Sequence, residues 1–361
     1  MLPYLFLFIL ACICAATDIY PVRNRWIVTG FTFIVALGMI VLRDGHGGTD
    51  YLMYQLFYTK VVPLGDYING LYEPFYRTKS FEVGFVTLCS TIKSIDFTKG
   101  PYMMIFIIST LTLTTIVKSL KEYTPYIFIA LLFYLYKAFF WHEFTLLRQS
   151  ISIAIFIFSI RYIKTNEYIK YILLNLVGVS MHASAIILIP LIFILNKKWK
   201  DQTICIITLI AFIINILGPY LFFSVVKIAD IFNMGYRIAT YFNGRSINPL
   251  NFIEIIFILF IAVFYRKKYE EKEPYFDIFL NMFVVSSFLI IAFSAFEIFA
   301  RFKEYFVITY MILISYMIGH IESKKTKAIV FLFFCAYVFL GYIRYLYTFD
   351  DGGLIPYKWI L

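Results

Sequence analysis

The chain has 361 residues, of which 61% are apolar and only 15% charged, and its mean hydropathy is +0.81. A water-soluble fold of this length needs far more polar surface, so soluble, disordered and fibrous classes are excluded and an integral membrane protein remains. Aromatic side chains reach 21%, more than lipid-facing helices require, and the formal charge is +10, an excess that either marks cytoplasmic loops or also meets an anionic ligand.

The first sixteen residues are almost wholly apolar, no Lys or Arg precedes them, and Arg23 and Arg25 follow. A cleavable signal carries its positive charge in front, so an uncleaved anchor with its amino end outside is expected. Cys12 and Cys14 lie about 200° apart around a helix and cannot share a ligand. The odd count of five cysteines, four of them in apolar runs, suggests neither a disulfide framework nor a metal knuckle.

Further apolar runs near 26–42, 101–118, 125–141, 145–163, 203–226, 251–265, 276–295, 304–319 and 327–346 predict membrane helices, several shorter than the roughly 20 residues a hydrocarbon core asks for. Short basic loops belong inside: Arg23 and Arg25; Lys118 and Lys121; Arg161, Lys164 and Lys170; Lys197, Lys198 and Lys200; Arg266, Lys267, Lys268 and Lys272; Lys324, Lys325 and Lys327. Two segments do not fit simple crossings. Tyr168 to Leu195 lies between two inside loops, so it must be split or re-entrant, turning near Ser180, Met181, His182 and Ala183. Glu82 to Ile95 has no room to cross, and its Thr87, Ser90, Thr91 and Lys93 suit an outer-face or re-entrant helix. The expectation is an all-α, polytopic, single membrane domain over 1–361, with about twelve segments, outer-face helices in 43–96, and extracytoplasmic loops at 43–96 and 227–250. The run RKKYEEKE at 266–273 reads as a solvated cytoplasmic loop.

In the outside region 43–81, four basic and four acidic side chains alternate with Tyr51, Tyr54, Tyr58, Tyr67, Tyr72 and Tyr76. Residues 227–250 add Tyr236, Arg237, Tyr241, Phe242 and Arg245. Phenol rings among mixed charges suit sugars, whose rings have an apolar face and a hydroxylated edge; the alternative is an aromatic belt at the headgroups.

Charge at membrane depth costs at least about 2.5 kcal/mol per residue, so each buried ionisable group calls for a partner or a task. Arg43 and Asp44 close the second span. Arg148 and Gln149 open the 145–163 helix, Glu297 and Arg301 share a helical face, and His182 sits at the turn of the split segment with Ser184 two residues on. By this topology all gather at the external leaflet. Guanidinium groups match phosphate oxygens bidentately, and a diphosphate leaving group needs that neutralisation. A neighbouring His182, or the carboxylates Asp50 and Glu82, suits taking a proton from an attacking sugar hydroxyl. The plainer readings are that Arg301 pairs with Glu297, Arg148 snorkels to headgroups and His182 packs between helices. No G-x-x-x-x-G-K-[ST], H-E-x-x-H or G-x-S-x-G occurs. Asp44, His46 and Asp50 offer donors for a divalent ion, but Gly45, Gly47 and Gly48 between them fit a tight loop better, and neither metal nor cofactor is expected.

The strings RDGHGGTDYLMY (Arg43 to Tyr54), FEVGF (Phe81 to Phe85), LLRQSISIAIF (Leu146 to Phe156), MHASAIILIP (Met181 to Pro190) and RFKEYF (Arg301 to Phe306) come in the order seen in EpsG-type proteins. The chain thus resembles the Wzy-like polymerases of bacterial exopolysaccharide, capsule and O-antigen, over roughly Arg43 to Phe306. The resemblance implies polymerisation of undecaprenyl-diphosphate-linked repeat units at the outer face of the inner membrane, the growing chain leaving its lipid and joining the non-reducing end of a new unit. It implies lipid-linked oligosaccharide as donor and acceptor, membrane lipids around the protein, no nucleic acid, and room for a chain-length regulator as partner. Matching positions are Arg43, Gly48, Asp50, Tyr51, Tyr54, Glu82, Gly84, Arg148, Gln149, His182, Ser184 and Arg301. His46 and Gly47 lengthen the glycine stretch, and an acidic D-x-D pair is missing, which argues against a metal-dependent variant. On this reading Arg43, Arg148 and Arg301 hold diphosphate, His182 is the base with Asp50 or Glu82 as substitute, and Tyr51, Tyr54, Gln149, Ser184, Tyr236, Arg237 and Tyr241 contact substrate. The rivals are an O-antigen ligase or single-unit transferase using the same donor, a flippase of lipid-linked oligosaccharide, and an acyltransferase using His182.

Overall fold

A computed structural model describes residues 1–45, 48–71, 81–98, 100–230, 248–349 and 353–360. Among them helix is the only regular backbone structure, with one isolated bridge between Arg43 and Trp359 in place of any sheet. An all-helical chain of this hydropathy satisfies its amide groups internally, as a bilayer demands. Among the described residues five helices are long and apolar enough to cross a membrane: Leu2–Ile19, Tyr102–Tyr123, Asp201–Gly218, Arg301–Gly319 and Lys324–Thr348. Pro249–Phe264 with Arg266–Lys272 makes a sixth if that pair, bent by 71°, is one span. Six shorter apolar helices add to these, among them Arg25–Val41, Ile127–Lys137 and Phe276–Ala292. The protein is a multi-pass, all-α membrane protein. Length alone accounts for about half of the twelve segments expected.

Without any Pro/Gly/Ser-rich linker, the chain forms two compact units, Met1–Pro190 with Ile318–Leu361, and Leu191–Met317. In the first, the helix Leu147–Lys164 turns back as Tyr168–Met181. The turn has a physical cause. Asn166 adopts a left-handed φ of 58°, Glu167 N–H bonds Tyr162 O at 2.8 Å and Asn166 N–H bonds Ile163 O at 3.3 Å. This is the Schellman pattern, which closes the orphan carbonyls of a helix end. The two helices are then tied by Ser152 Oγ to Gly178 O at 2.7 Å and Asn175 Nδ2 to Ser159 Oγ at 2.9 Å. Such interhelical bonds contribute about 0.6 kcal/mol each in a membrane.

Tyrosines serve the same purpose elsewhere. Tyr123 donates to Ile157 O, Tyr171 to Leu188 O, Tyr4 to Leu354 O and Tyr342 to Tyr4 O, at 2.6 to 3.0 Å. These tyrosines brace helices from within the protein. At the end of Leu2–Ile19, Asp18 Oδ2 accepts from Phe128 N at 2.7 Å and Ile129 N at 3.0 Å. A carboxylate from another helix thus supplies the cap that the start of Ile127–Lys137 lacks from its own residue, Tyr126.

Between Arg25–Val41 and Tyr102–Tyr123 the first unit carries, among the described residues, three short helices, Gly48–Lys60, Leu64–Ile68 and Val83–Lys93. Along the first of these Tyr51, Tyr54, Phe57, Tyr58 and, just past its end, Val61 are buried, a spacing of three to four that lays one face on the core. The Tyr168–Leu195 stretch is broken at His182, whose extended backbone (φ −154°, ψ 116°) ends Tyr168–Met181 before a 3₁₀ helix, Ala183–Phe193.

In the second unit, the 266–273 run is more than a solvated loop. It forms the helix Arg266–Lys272, and Arg266 bonds Glu270 Oε1 at 2.6 Å, Asp201 Oδ1 at 2.7 Å and Asp277 Oδ1 at 3.0 Å. Asn281 Nδ2 reaches the carbonyls of Leu195 and Lys197, and Asn215 Nδ2 reaches Ile291 O and Ser294 Oγ. Most of the 227–250 loop, including Tyr236, Arg237 and Tyr241, lies outside the described residues.

Candidate functional site

The break at His182 creates the site. Val83–Lys93 approaches the end of Tyr168–Met181 so closely that a Cβ at Gly84 would stand 2.8 Å from Ser180 O. Only glycine lets the two backbones meet at this distance. The approach brings Glu82, the residue just before the short helix, against the residues just after the long one. Glu82 Oε1 accepts from Ala183 N at 2.9 Å and lies 3.3 Å from His182 Nδ1, an ion-pair distance without hydrogen-bond alignment. Glu82 Oε2 takes Arg148 Nη1 at 2.6 Å, from the first turn of Leu147–Lys164.

One carboxylate therefore ties its own segment to two others, 66 and 101 positions further along the chain. Arg148 Nε points to Tyr54 OH at 3.4 Å, and its guanidinium lies 4.6 Å from the Phe81 ring centroid. Phe81 in turn packs on Phe57 at 4.2 Å. Arg148, Glu82 and His182 keep 24%, 17% and 18% of their side-chain surface exposed, so the cluster is held firmly yet can be reached. Glu82 lies outside the spanning helices. Burial pushes its carboxyl up, but His182, the Ala183 N–H and Arg148 outweigh burial and hold it down to about 2. It is ionised at neutral pH, with both oxygens engaged.

The other expected residues divide into three groups. Gln149 is buried beside Arg148 and Ser184 is half-buried past His182, so both stand next to the cluster in the chain. Asp50 is half-buried in the first turn of Gly48–Lys60, one turn before Tyr54 on the same face. Arg43, expected to meet diphosphate, is 0% exposed: Nη1 and Nη2 donate to the carbonyls of Glu143 and Phe144 at 3.2 and 2.9 Å. Its guanidinium is sandwiched 4.5 Å from the Tyr51 ring and 4.1 Å from Phe144. Tyr51 and Tyr54, expected to face sugar, are buried because their helix turns that face to the core. Arg301 belongs to the second unit and is exposed, in the helix Glu297–Lys303; the Glu297 side chain lies outside the described residues.

Two buried ionisable residues carry no role in the sequence reading. His142 and Glu143 occupy a π-turn, Trp141–Thr145, just before Leu147–Lys164. The string FWHEF inside an apolar run is the signal that could have found them. Among the described residues no three His, Cys, Asp or Glu side chains gather in a metal-binding group.

The EpsG family profile matches residues 26–359, nearly the whole chain. The chain belongs to the EpsG family. EpsG proteins are Wzy-like polymerases, glycosyltransferase-type enzymes of polysaccharide synthesis that work on lipid-linked sugars in a membrane. The match takes in the Glu82, Arg148 and His182 segments, and extends past Phe306 to the carboxy-terminal residues that pair with Arg43. No curated protein and no solved structure matches the chain.

Proposed function

We propose that this EpsG protein polymerises undecaprenyl-diphosphate-linked repeat units at the outer face of the bacterial inner membrane, as a metal-independent glycosyltransferase, and that the Glu82, Arg148 and His182 cluster is its reaction centre. The observation that carries the reading is the convergence of those three segments on the Glu82 carboxylate, in a partly exposed cluster.

In the proposed reaction an acceptor hydroxyl at the non-reducing end of a lipid-linked unit attacks the anomeric carbon of the donor chain. The bond from that carbon to the diphosphate oxygen breaks, the lipid diphosphate departs with both electrons, and the hydroxyl proton passes to a base. His182 suits the base. Its Nδ1 faces the Glu82 carboxylate, which favours the tautomer with the proton on Nδ1 and leaves Nε2 to accept. Glu82, expected as a substitute base, fits that role poorly because its pKa near 2 makes it a weak proton acceptor. It is better placed to orient both neighbours, and Asp50 is the remaining carboxylate candidate.

Arg148 is the proposed diphosphate ligand, stabilising charge that grows on the leaving group. Arg301 is retained as a second one. Arg43, with both Nη groups spent on backbone, is reassigned below. Gln149 and Ser184, and Tyr236, Arg237 and Tyr241 from the 227–250 loop, are retained as proposed substrate contacts. A chain-length regulator remains a proposed partner.

The test replaces Arg148, His182 and Glu82 singly with Ala in a strain lacking the native copy and follows the polysaccharide ladder at matched protein level. Short chains from all three variants are expected. Normal long chains from Arg148→Ala would overturn the site. A change in attachment to lipid A without a change in length would indicate a ligase instead.

A further inference from the structure

Arg43 and Glu143 are both 0% exposed in the described first unit, and neither belongs to the proposed chemistry. Both act on the same five residues. The turn Trp141–Thr145 is wound with a bond from Leu146 N–H to Trp141 O at 2.9 Å, five residues back. Such a widened turn interrupts the ordinary helical ladder and leaves carbonyls at its junction with the next helix to find other donors. Two of those carbonyls, Glu143 O and Phe144 O, are taken by the two Nη groups of Arg43.

The opposite side of the turn is held by the Glu143 side chain. Its carboxylate lies within reach of three hydroxyls: Thr112 Oγ1 at 3.1 and 3.2 Å, Tyr134 OH at 3.1 Å and Ser150 Oγ at 3.4 Å. These come from the Tyr102–Tyr123 helix, the Ile127–Lys137 helix and the first turn of Leu147–Lys164. Arg43 itself is fixed by the rings of Tyr51 and Phe144 and by backbone bonds that bracket it, Asp44 N–H to Lys358 O and Ile360 N–H to Leu42 O, both 3.0 Å. Arg148 stands five residues after Glu143 and two before Ser150, so the turn sets where its helix begins and which way its side chain leaves.

We propose that Arg43 and Glu143 form a clamp on the Trp141–Thr145 turn that positions Arg148 for the departing diphosphate. They are positioning residues, and the assignment rests on the diphosphate role given to Arg148 above. An arginine that stabilises a leaving group must be placed within a fraction of an ångström, and a turn closed on both sides supplies that rigidity.

The experiment uses the full chain purified in lipid nanodiscs. Amide exchange over residues 141–150 is measured beside kcat and KM for a synthetic lipid-linked repeat unit, each per folded molecule. Glu143→Ala and Arg43→Lys are expected to speed exchange over 146–150 at least about tenfold and to lower kcat about tenfold or more with little change in KM. Glu143→Gln keeps the hydroxyl contacts and is expected to recover kcat to within about threefold. A purely structural role would lower the folded amount and leave kcat per folded molecule unchanged, and that result overturns the proposal. Unaltered exchange over 146–150 overturns it as well. Should Glu143→Ala fail to accumulate, Thr112→Val takes its place, with faster exchange supporting the clamp and unchanged exchange refuting it. If Arg148→Ala polymerises normally, the diphosphate reading fails on its own, while exchange still decides whether the turn is clamped.

Discussion

Replacing Gly84 with Ala tests whether the Glu82 cluster depends on close approach of two backbones. The new Cβ would lie 2.3 Å from Ser180 Oγ, 2.8 Å from Ser180 O and 2.9 Å from Ser180 Cβ. The hydroxyl can rotate, at the expense of its 2.7 Å bond to Val177 O. The carbonyl and the Cβ cannot. Ordinary contact begins near 3.4 Å, so the segments must part by about 0.6 Å. That movement stretches the 2.9 Å bond between Ala183 N–H and Glu82 Oε1 to about 3.5 Å, the outer limit of a hydrogen bond. Overpacking of this kind costs about 1–3 kcal/mol in stability. Weakening a charge-assisted bond at the centre costs about 1.5–2 kcal/mol more, or roughly 10- to 30-fold in rate. The assay is the polysaccharide ladder in a strain lacking the native copy, with protein quantified and thermal unfolding of the detergent-solubilised chain followed in parallel. Adding Ser180→Gly removes the Oγ and Cβ clashes but leaves the carbonyl, so partial recovery is expected. Normal chains and an unshifted transition for Gly84→Ala would refute the reasoning, and full recovery in the double variant would show that the carbonyl is not the obstacle.

Arg148→Lys keeps the charge but cannot direct separate N–H groups at Glu82 and Tyr54, so a loss of about 2 kcal/mol, near 30-fold in kcat, is expected in single-turnover assays. Tyr54→Phe removes a 3.4 Å contact and should cost less than about 1 kcal/mol by the same measurement. The Glu82 carboxyl is held down from the ordinary 4.5 to about 2, so its contribution is complete above pH 4.5 and is lost as the pH falls toward 2. After discounting for partial exposure it is worth about 1–2 kcal/mol. The stability difference between wild type and Glu82→Gln should therefore stay constant from pH 8 to 5 and shrink below; shrinkage between pH 7 and 5 would contradict the assignment. Asp18→Ala should lower the melting temperature by leaving two amides of the Ile127–Lys137 helix uncapped, at about 1–2 kcal/mol, with KM unchanged. Asp18→Asn, which keeps an acceptor, should recover about half.

Much of the candidate site was legible from residue type. Glu82, Arg148 and His182 stood out because charge or a break interrupts apolar sequence, and the parity of basic loops located the break near His182. The inward turn of Tyr51 and Tyr54 was legible too, through the 51, 54, 58, 61 spacing, but composition drew attention to their phenol groups first. Glu143 was overlooked because one acidic residue between His142 and Phe144 at a helix junction resembles a loop residue, and its three hydroxyl partners come from three different helices.

The sequence by itself determined that this is a multi-pass helical membrane protein of the EpsG type, since hydropathy, charge sign and ordered motifs are properties read along one dimension. Only the tertiary structure decided which charges meet. A guanidinium becomes a ligand for substrate or a brace for backbone according to what surrounds it. Arg148 reaches a carboxylate at a partly open surface, whereas Arg43 finds two carbonyls and two rings in a closed interior. The cause is desolvation: in a low-dielectric interior a charge must be satisfied by whatever packing brings within 3 Å, and packing joins residues about a hundred positions apart.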